Sequence, residues 1–600
     1  MNFQEFAEFL NNVEQVQGRN AMTENLAAFL KTTTPEEAKH LMYFLLGRLA
    51  PKFVPLEFNF SEKMVLKALS QDYLDNPKRL LGELGDIGLV VYKLKGEFKS
   101  TDAKPNSDIH KLESIMEVYD FLVKLAKIEG KGSQEEKIKL YKYIVDNLDP
   151  LSSKYISRII VGDLRIGFSE KTILDAFSWF ITGDKSLRKD IDIAFGARAD
   201  VGELAKVILE TPKDKIVEVL ENIKIMPLTP VASKLVEREA SAQAVWERMP
   251  NCIVQPKLDG LRGQIHLSEK REAAIYSRNM ESLTDQFPEI IEGVKALKVD
   301  SIILDSEIIG FDSASDSYRT YQDTMKRRRK FDIESFSKDI PVRAMCFDVL
   351  YLNGEDLTTK PVEERVEILR KLIEKSTSAL TMLETEQMQT EAELEAFFEE
   401  KVGAGLEGII AKQIGTNYDP GTRNFKWIKL KANTKSELVD TIDVVVMGYF
   451  YGQGVRSKNG FGALLAGVYN AEDDKYYSIG KVGSGFKDEE APKMFEDLTK
   501  LKYSEDELKD KLFPDNYVVE KILYPDVWVK PKIVMEIVAD EITRSPSHTA
   551  ARGLKANVKG DDSEKGLSIR FPRLKKWMRD KDLPNSVQEI VRMYELRKGK

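Results

Sequence analysis

Near residue 225 the apolar pattern of this chain changes period. Upstream, FAEFLNNVEQV, HLMYFLLGRLA and EEKIKLYKYIVDNL carry apolar residues at i, i+3, i+4 and i+7, the spacing of one helix face. Downstream of residue 250, short β-rich runs alternate with helical stretches: CIVQPK, GQIHLS, SIILDSEIIGF, RAMCFDVLYL and GIIAKQ. A 3.6-residue pattern cannot bury its apolar face as a strand, nor a two-residue pattern as a helix, so the change of period marks a change of fold. With 600 residues the chain also exceeds what one core supports. The pattern therefore predicts a multidomain protein, with an all-α domain over 1–225 and an α/β or α+β domain over 226–432. KIMPLTPVASK (224–234), with its two prolines, reads as the linker between them. The polar KANTKSELVD (431–440) reads as a second hinge. Beyond it, IDVVVMGYFYG, GALLAGVYN, YYSIGKVGSG and VWVKPKIVMEIVADEI are strands parted by glycine turns, the signature of a small barrel or sandwich over 433–600. The closing SVQEIVRMYELRKGK puts Val587, Ile590, Val591 and Tyr594 on one helix face.

Within the helical region, Gly130–Gly132 and Pro150 read as helix stops. The segment RIIVGDLRIGFSEKTILDAF (158–177) reads as a helix–turn–helix in which Ser169 caps the second helix. Free backbone N–H groups at such a helix start suit phosphate contacts.

Composition narrows the class. Hydrophobic content of 42% with 31% charged residues fits a soluble globular protein. Two cysteines, Cys252 and Cys346, cannot build a disulfide framework or a four-cysteine zinc site, and both sit in apolar runs as buried thiols would. The N-terminus carries early acids and no long apolar core, so it does not read as a signal peptide, and no run reaches membrane-helix length. A cytoplasmic, monomeric protein with no membrane partner is expected. The net charge of −8 argues against coating nucleic acid by bulk charge but not against local phosphate binding.

The chemistry concentrates after residue 250. In VQPKLDGLRGQIH (254–266) a strand is expected to break at Pro256 and restart after Gly260, placing Lys257, Asp259 and Arg262 at the bend. A lysine is nucleophilic only when neutral, and nearby cations favour that form. It then attacks either a carbonyl carbon or phosphorus. Downstream, ILDSEIIGFD (303–312) puts Glu307 on a strand among apolar neighbours, where a carboxylate should face a site or a metal. FDVLYLNGEDL (347–357) is an apolar strand closed by an Asn-Gly hairpin, and its Phe347 is either core or a platform for a flat ring. LEGIIAK (406–412) sets Glu407 and Lys412 around a strand. RNFKWIKLK (423–431) alternates, with Trp427, Lys429 and Lys431 on one face and Ile428 and Leu430 on the other. Two lysines beside acids suit a phosphate-and-metal site.

These segments, in this order, resemble the covalent nucleotidyltransferase superfamily and most closely its ATP-dependent DNA ligases of the archaeal and eukaryotic replicative type. The nucleophile motif matches KLDGLR (257–262), and later motifs match SRNME (277–281), LDSEIIG (304–310), FDVLYLNG (347–354), EGIIAK (407–412), WIKLK (427–431) and RFPR (570–573). The resemblance implies a helical DNA-binding domain, an adenylation domain, and an OB-fold β-barrel with a C-terminal helix. It implies three steps: Lys257 takes AMP from ATP, AMP passes to the 5′-phosphate of a nick in duplex DNA, and the 3′-hydroxyl displaces it, in replication, repair and recombination. Capping the 5′-phosphate supplies a leaving group, and Mg²⁺ spreads charge during transfer.

By the same resemblance Phe347 stacks on adenine. Arg262, Arg278 and Glu307 hold the ribose and nick-side phosphate, and Glu307 and Glu407 lie near Mg²⁺. Lys429 and Lys431 grip the α-phosphate, Arg423 lies near the nucleotide, and Asp259 serves nick sealing. Arg570 and Arg573 orient departing pyrophosphate in the first step, which requires the barrel to swing about 431–440. Relatives often carry glutamate two positions before the lysine, accepting from the adenine amino group; here Gln255 stands there, and its amide adds a donor. The basic run MKRRRK (325–330) reads equally as a solvated helix face or a DNA-facing patch. A sliding clamp is a typical partner, although KLKGEFKSTDAKPNS (93–107) lacks a convincing docking motif. RNA ligases and capping enzymes share the lysine chemistry, but the long helical region and RFPR disfavour them. The cysteine count disfavours an NAD-dependent ligase, and the intact motif residues disfavour a non-catalytic scaffold.

Overall fold

The computed structural model describes residues 1–16, 18–70, 76–97, 112–312, 317–319, 321–327, 340–373, 379–404, 406–431, 441–452, 460–487, 489–508, 511–539, 541–558, 560–579 and 583–598. They form two compact units, Met1–Ala432 and Asn433–Lys600. No helix among them is long and apolar enough to cross a membrane. The hinge residues 432–440, and residues 98–107 of the candidate clamp-docking stretch, lie outside the described residues.

The first unit begins with an array of helices running from Phe3 to Glu221. Local chemistry sets their starts. Asn2 with Glu5, Thr34 with Glu37 and Ser114 with Glu117 form reciprocal caps that satisfy first-turn N–H groups. Ser169 accepts from the N–H of Thr172, opening the helix Glu170–Thr182 as its position predicts. Pro150 starts rather than stops a helix: Asp149 caps Pro150–Ile160 and the proline takes the first helical position, where its missing N–H costs nothing. Phe3, Phe6, Leu41, Phe44, Leu122, Tyr141 and Phe177 are fully buried in one apolar core. Beside it Arg158 pairs with Asp86 and Glu14, each at 3.1 Å.

The rest of this unit is two facing sheets. Its strands are β1 (Leu235–Arg238), β2 (Cys252–Lys257), β3 (Leu261–Leu267), β4 (Ala273–Ser277), β5 (Ile302–Asp312), β6 (Ser317–Tyr318), β7 (Val342–Leu352), β8 (Glu355–Asp356), β9 (Leu380–Met382), β10 (Glu386–Met388), β11 (Gly408–Gln413) and β12 (Arg423–Lys431). One sheet runs β1-β12-β11-β2-β10; the other runs β4-β3-β5-β7-β8, with β6 on β5 and β9 on β7. Helices Ala242–Arg248 and Glu391–Gly403 cover the outer face of the first, burying Val245 and Leu394 against Ile428 and Leu430. Helices Pro288–Lys295 and Val362–Ile373 cover the second, burying Ile290 and Leu369 against Ile265 and Leu304.

Three expectations change. Pro256 does not break its strand: β2 runs through it to Lys257, because β10 pairs only as far as Val254 and leaves that end of β2 with β11 alone. Segment 224–234 is not a free linker. Ile225 and Val231 join a buried cluster with Phe347 and Trp427, and the fully buried Lys234 reaches Asp419, Thr422 and Asn424. Arg327, from the basic run, is buried against Glu289 and the carbonyls of Gln286 and Ile340, so that residue is structural; residues 328–330 lie outside the described residues.

Segment 224–234 is tied to β3 through His266. The Leu228 N–H donates to His266 Nδ1 at 3.1 Å, so the ring proton sits on Nε2, facing Gln264 Oε1 at 2.9 Å. Burial pushes the imidazole pKa down to about 3. The unfolded chain, with an ordinary histidine, takes a proton first, so stability is full above about pH 6.5 and falls as pH drops toward 3, by about 4–5 kcal/mol. His266→Asn should flatten the decline of melting temperature between pH 6.5 and 4; an unchanged slope would show that other groups govern it.

The second unit adds β13 (Ile442–Phe450), β14 (Ala463–Asn470), β15 (Lys475–Val482), β16 (Tyr517–Val518), β17 (Val527–Trp528), β18 (Val534–Val538), β19 (Glu541–Ser545), β20 (Gly566–Arg570) and β21 (Arg573–Lys576). One sheet runs β16-β15-β14-β13-β18-β21 with β17 on β13, and β19 pairs β20. The closing helix, Val587–Lys598, buries Val587, Ile590 and Tyr594 in this unit's own core, as its apolar face predicts.

Candidate active site

A cavity of about 430 Å³ lies between the two sheets of the first unit. β2, β11 and β12 line one side, and β3, β5 and β7 the other. Gln255, Lys257, Asp259, Arg262, Arg278, Glu307, Phe347, Glu407, Arg423, Lys429 and Lys431 all line it. Arg570 and Arg573 belong to the second unit, at the end of β20 and the start of β21.

Strand alternation explains the convergence. Gln255 and Lys257 are two apart on β2, so both face the cavity roughly 7 Å apart along the strand. Trp427, Lys429 and Lys431 repeat the pattern on β12, while Ile428 and Leu430 go to the core behind. Two glycines permit close approach. A Cβ on Gly260 would lie 2.6 Å from the Ile308 carbonyl oxygen, and one on Gly408 would lie 2.0 Å from that of Leu430. Without them the Lys257 bend could not close on β5, nor Glu407 approach β12.

The cavity is cationic. Eight of its lining residues are basic (Lys234, Lys257, Arg262, Arg278, Lys412, Arg423, Lys429, Lys431) against three acids, Asp259, Glu307 and Glu407. Such an excess suits a polyanion. The Glu407 carboxylate contacts Lys257 and, at 2.5 Å, Lys431. Burial raises its pKa, but the two ammonium groups outweigh that and hold it below the ordinary carboxylate value. Lys429 forms no ion pair with a described residue. Burial, and then Lys431, Lys257, Arg423 and Arg278, keep its pKa below that of a free lysine. Burial pushes Glu307 up to about 7 against the pull of Lys257 and Arg262. A lysine held below its ordinary pKa by burial and by neighbouring cations, as Lys429 is, is primed for an anionic ligand.

Around Phe347 the cavity turns flat and apolar. Its ring is nearly buried, with Trp427 edge-on at 6.4 Å and Arg262 at 5.4 Å from the ring centre. Gln255 is buried beside it, its amide nitrogen donating to the Phe347 carbonyl. Arg262, expected at the ribose, is already clamped. It donates to both oxygens of the fully buried Asp305, at 3.0 and 2.6 Å, to the Lys234 carbonyl and to Tyr418. Its N–H groups therefore serve first to join β3 to β5.

Sequence reasoning missed Asp305, Tyr418 and a role for Lys412. Asp305 sits two residues before Glu307 on β5, so alternation alone could have flagged it. In the sequence Lys412 stands out only as flanking a strand. It donates to the Phe347 carbonyl at 3.0 Å, lies 4.1 Å from the Trp427 ring centre, and burial pushes its pKa down to about 8. It buttresses the aromatic wall. No cluster of three or more His, Cys, Asp or Glu residues suited to a metal exists among the described residues. Glu307 and Glu407 supply two hard oxygen donors, the donor type that a Mg²⁺ ion would take.

Family comparison agrees with this geometry. The model described as "ATP dependent DNA ligase domain" matches residues 233–431, "DNA ligase N terminus" matches 2–178, and "ATP dependent DNA ligase C terminal region" matches 457–581. A "Probable DNA ligase" of Dictyoglomus turgidum is 36% identical over 603 residues, covering 99% of this chain and 97% of the relative. A "DNA ligase" of Sulfolobus acidocaldarius is 35% identical over 613 residues, covering 100% and 98%. A solved structure, Pmar-Lig_PreS3, aligns over 95% of this chain and 98% of its own at TM-score 0.50 and 15% identity, a likeness of fold.

Proposed function

The chain belongs to the ATP-dependent DNA ligase family and is an enzyme that seals nicks in DNA, and from that premise we propose how its residues divide the work. The observation that carries the reading is the one cavity that joins Lys257 to a cationic cluster and to the slot beside Phe347.

In this reading the adenine lies on Phe347 and presents its amino group to Gln255. The α-phosphate then comes between Lys257, Lys429 and Lys431. Lys257 Nζ attacks the α-phosphorus, pyrophosphate leaves, and the AMP phosphoramide forms. The 5′-phosphate at the nick next displaces Lys257, and the 3′-hydroxyl then displaces AMP to form the phosphodiester. Lys429 and Lys431 act by position, meeting charge on the phosphate as it passes between acceptors. Glu407 holds Lys257 and Lys431 together. Arg278 and Arg423 add cations at the cavity wall, Asp259 serves the nick-sealing steps, and Glu307 and Glu407 would hold Mg²⁺. The ion, when bound, neutralises phosphate charge. Arg262 fixes the wall that carries Phe347. Covalent labelling of Lys257 by α-labelled ATP tests the reading.

We read 1–225 as the DNA-binding domain, 226–432 as the adenylation domain and 433–600 as an OB-fold barrel with its terminal helix. Arg570 and Arg573 act on pyrophosphate from that barrel. One copy carries every residue used, which supports a monomer; a sliding clamp is the partner the family suggests. Neutral contacts and surface cations of the helices hold duplex DNA without reading sequence. Removing residues 1–220 leaves Ile225 and Val231 to cover Phe347. It should therefore weaken nicked-duplex binding by about 100-fold, given several lost phosphate contacts, while self-adenylation changes only a few-fold. Unchanged DNA affinity in a fluorescence titration would remove the DNA-binding role.

A further inference from the structure

Gln255 is chemically ambiguous. An amide can offer the cavity an oxygen, which accepts from an amino group, or a nitrogen, which donates to a carbonyl. Its surroundings remove the choice. Nε2 donates to the Phe347 carbonyl at 3.2 Å and to Thr385 Oγ at 2.9 Å. The carbonyl can only accept, and it has capacity for both Gln255 and Lys412. The Thr385 hydroxyl spends its one hydrogen on the Leu383 carbonyl at 2.8 Å, so toward Gln255 it too can only accept. Both amide hydrogens are thus committed away from the ligand, and Oε1 is the polar atom left for the cavity that Gln255 lines. Thr385 is well placed for this. It lies between β9, which pairs with β7, and β10, which pairs with β2, where the chain crosses from one sheet to the other.

We propose that Thr385 is a specificity-determining positioning residue: it locks the Gln255 amide so that glutamine reads the base as an acceptor, selecting a purine with an amino group at C6 over one with a carbonyl there. The proposal rests on the reading of Gln255 as the base-contacting side chain. It makes Thr385 act only through Gln255, with no contact to the nucleotide. Thr385→Val keeps the shape and removes the acceptor. The amide then loses half of what fixes it, and the flipped orientation offers N–H to a C6 carbonyl.

The test is single-turnover self-adenylation of the full chain with ATP and with inosine triphosphate, each giving a rate and a half-saturating concentration. Thr385→Val should lower the ATP-to-inosine preference about tenfold, the scale of one hydrogen bond, through a higher half-saturation for ATP at similar maximal rate. Thr385→Ser should restore the preference. Adding Thr385→Val to Gln255→Ala should change the preference no further. An undiminished preference in Thr385→Val, or an additive loss in the double variant, would overturn the proposal. If Gln255→Ala itself leaves the preference untouched, the reading of Gln255 fails instead.

Discussion

Lys257→Ala should leave no covalent adenylate when the protein meets α-labelled ATP and Mg²⁺, and ATP-driven nick sealing should fall to background. The cavity holds other amines that could in principle react. Glu407 pairs with both Lys257 and Lys431, so ion pairing does not separate those two, while Lys412 is turned to the Phe347 carbonyl. Lys429 has no acid partner among the described residues and a depressed pKa, which makes it a credible substitute nucleophile. Position separates it from Lys257. Lys257 ends β2 beside the Gly260 bend, two residues along the same face from Gln255, so one bound nucleotide can reach both. Lys257→Arg sharpens the test, since it keeps the cation but cannot become a neutral nucleophile at working pH. Peptide mapping of the wild-type adduct should find AMP on Lys257. Label persisting in Lys257→Ala, on Lys429 or elsewhere, would break the assignment.

Much of this site is legible in the sequence because period-two alternation is a strong constraint. Once RNFKWIKLK is a strand, Trp427, Lys429 and Lys431 must share a face, and a register slip of one would bury both lysines. What was not legible depended on partners distant in sequence. Arg262 carried no mark that Asp305 and Tyr418, 43 and 156 residues away, would take its N–H groups. Thr385 lies in a stretch with no motif, yet it decides which end of Gln255 faces the ligand. Pro256 misled because a proline reads as a strand break only where both neighbours need its N–H, and here one neighbour has already ended. The prolines at 227 and 230 misled similarly. They do keep the segment out of helix, but extended chain can still pack, and here it covers the wall behind Phe347.

Arg570→Ala should slow self-adenylation by about 100–1,000-fold, the range for removing one charged stabiliser of a displaced group, and spare closure of nicks that already carry AMP. The cations lining the cavity all belong to the first unit and can serve the α-phosphate in every step. Pyrophosphate exists as a leaving group only in the first. A cation carried by a separate compact unit can be present for that step and withdrawn for the others, when DNA must approach the same phosphate. Arg570 has the right local character. It ends β20, its side chain is half exposed, and it pairs with Glu541 at 3.6 Å, a surface pairing worth under about 1 kcal/mol and easily exchanged for phosphate. Phe571, with φ of 51°, turns the chain immediately after it and leaves its ring exposed, so the arginine stands at a bend rather than along a flat strand. Single-turnover labelling with ATP, run beside sealing of a pre-adenylated nick, separates the steps. Equal loss in both would mean that Arg570 stabilises the protein or binds DNA throughout, and the division of labour between the two units would be wrong.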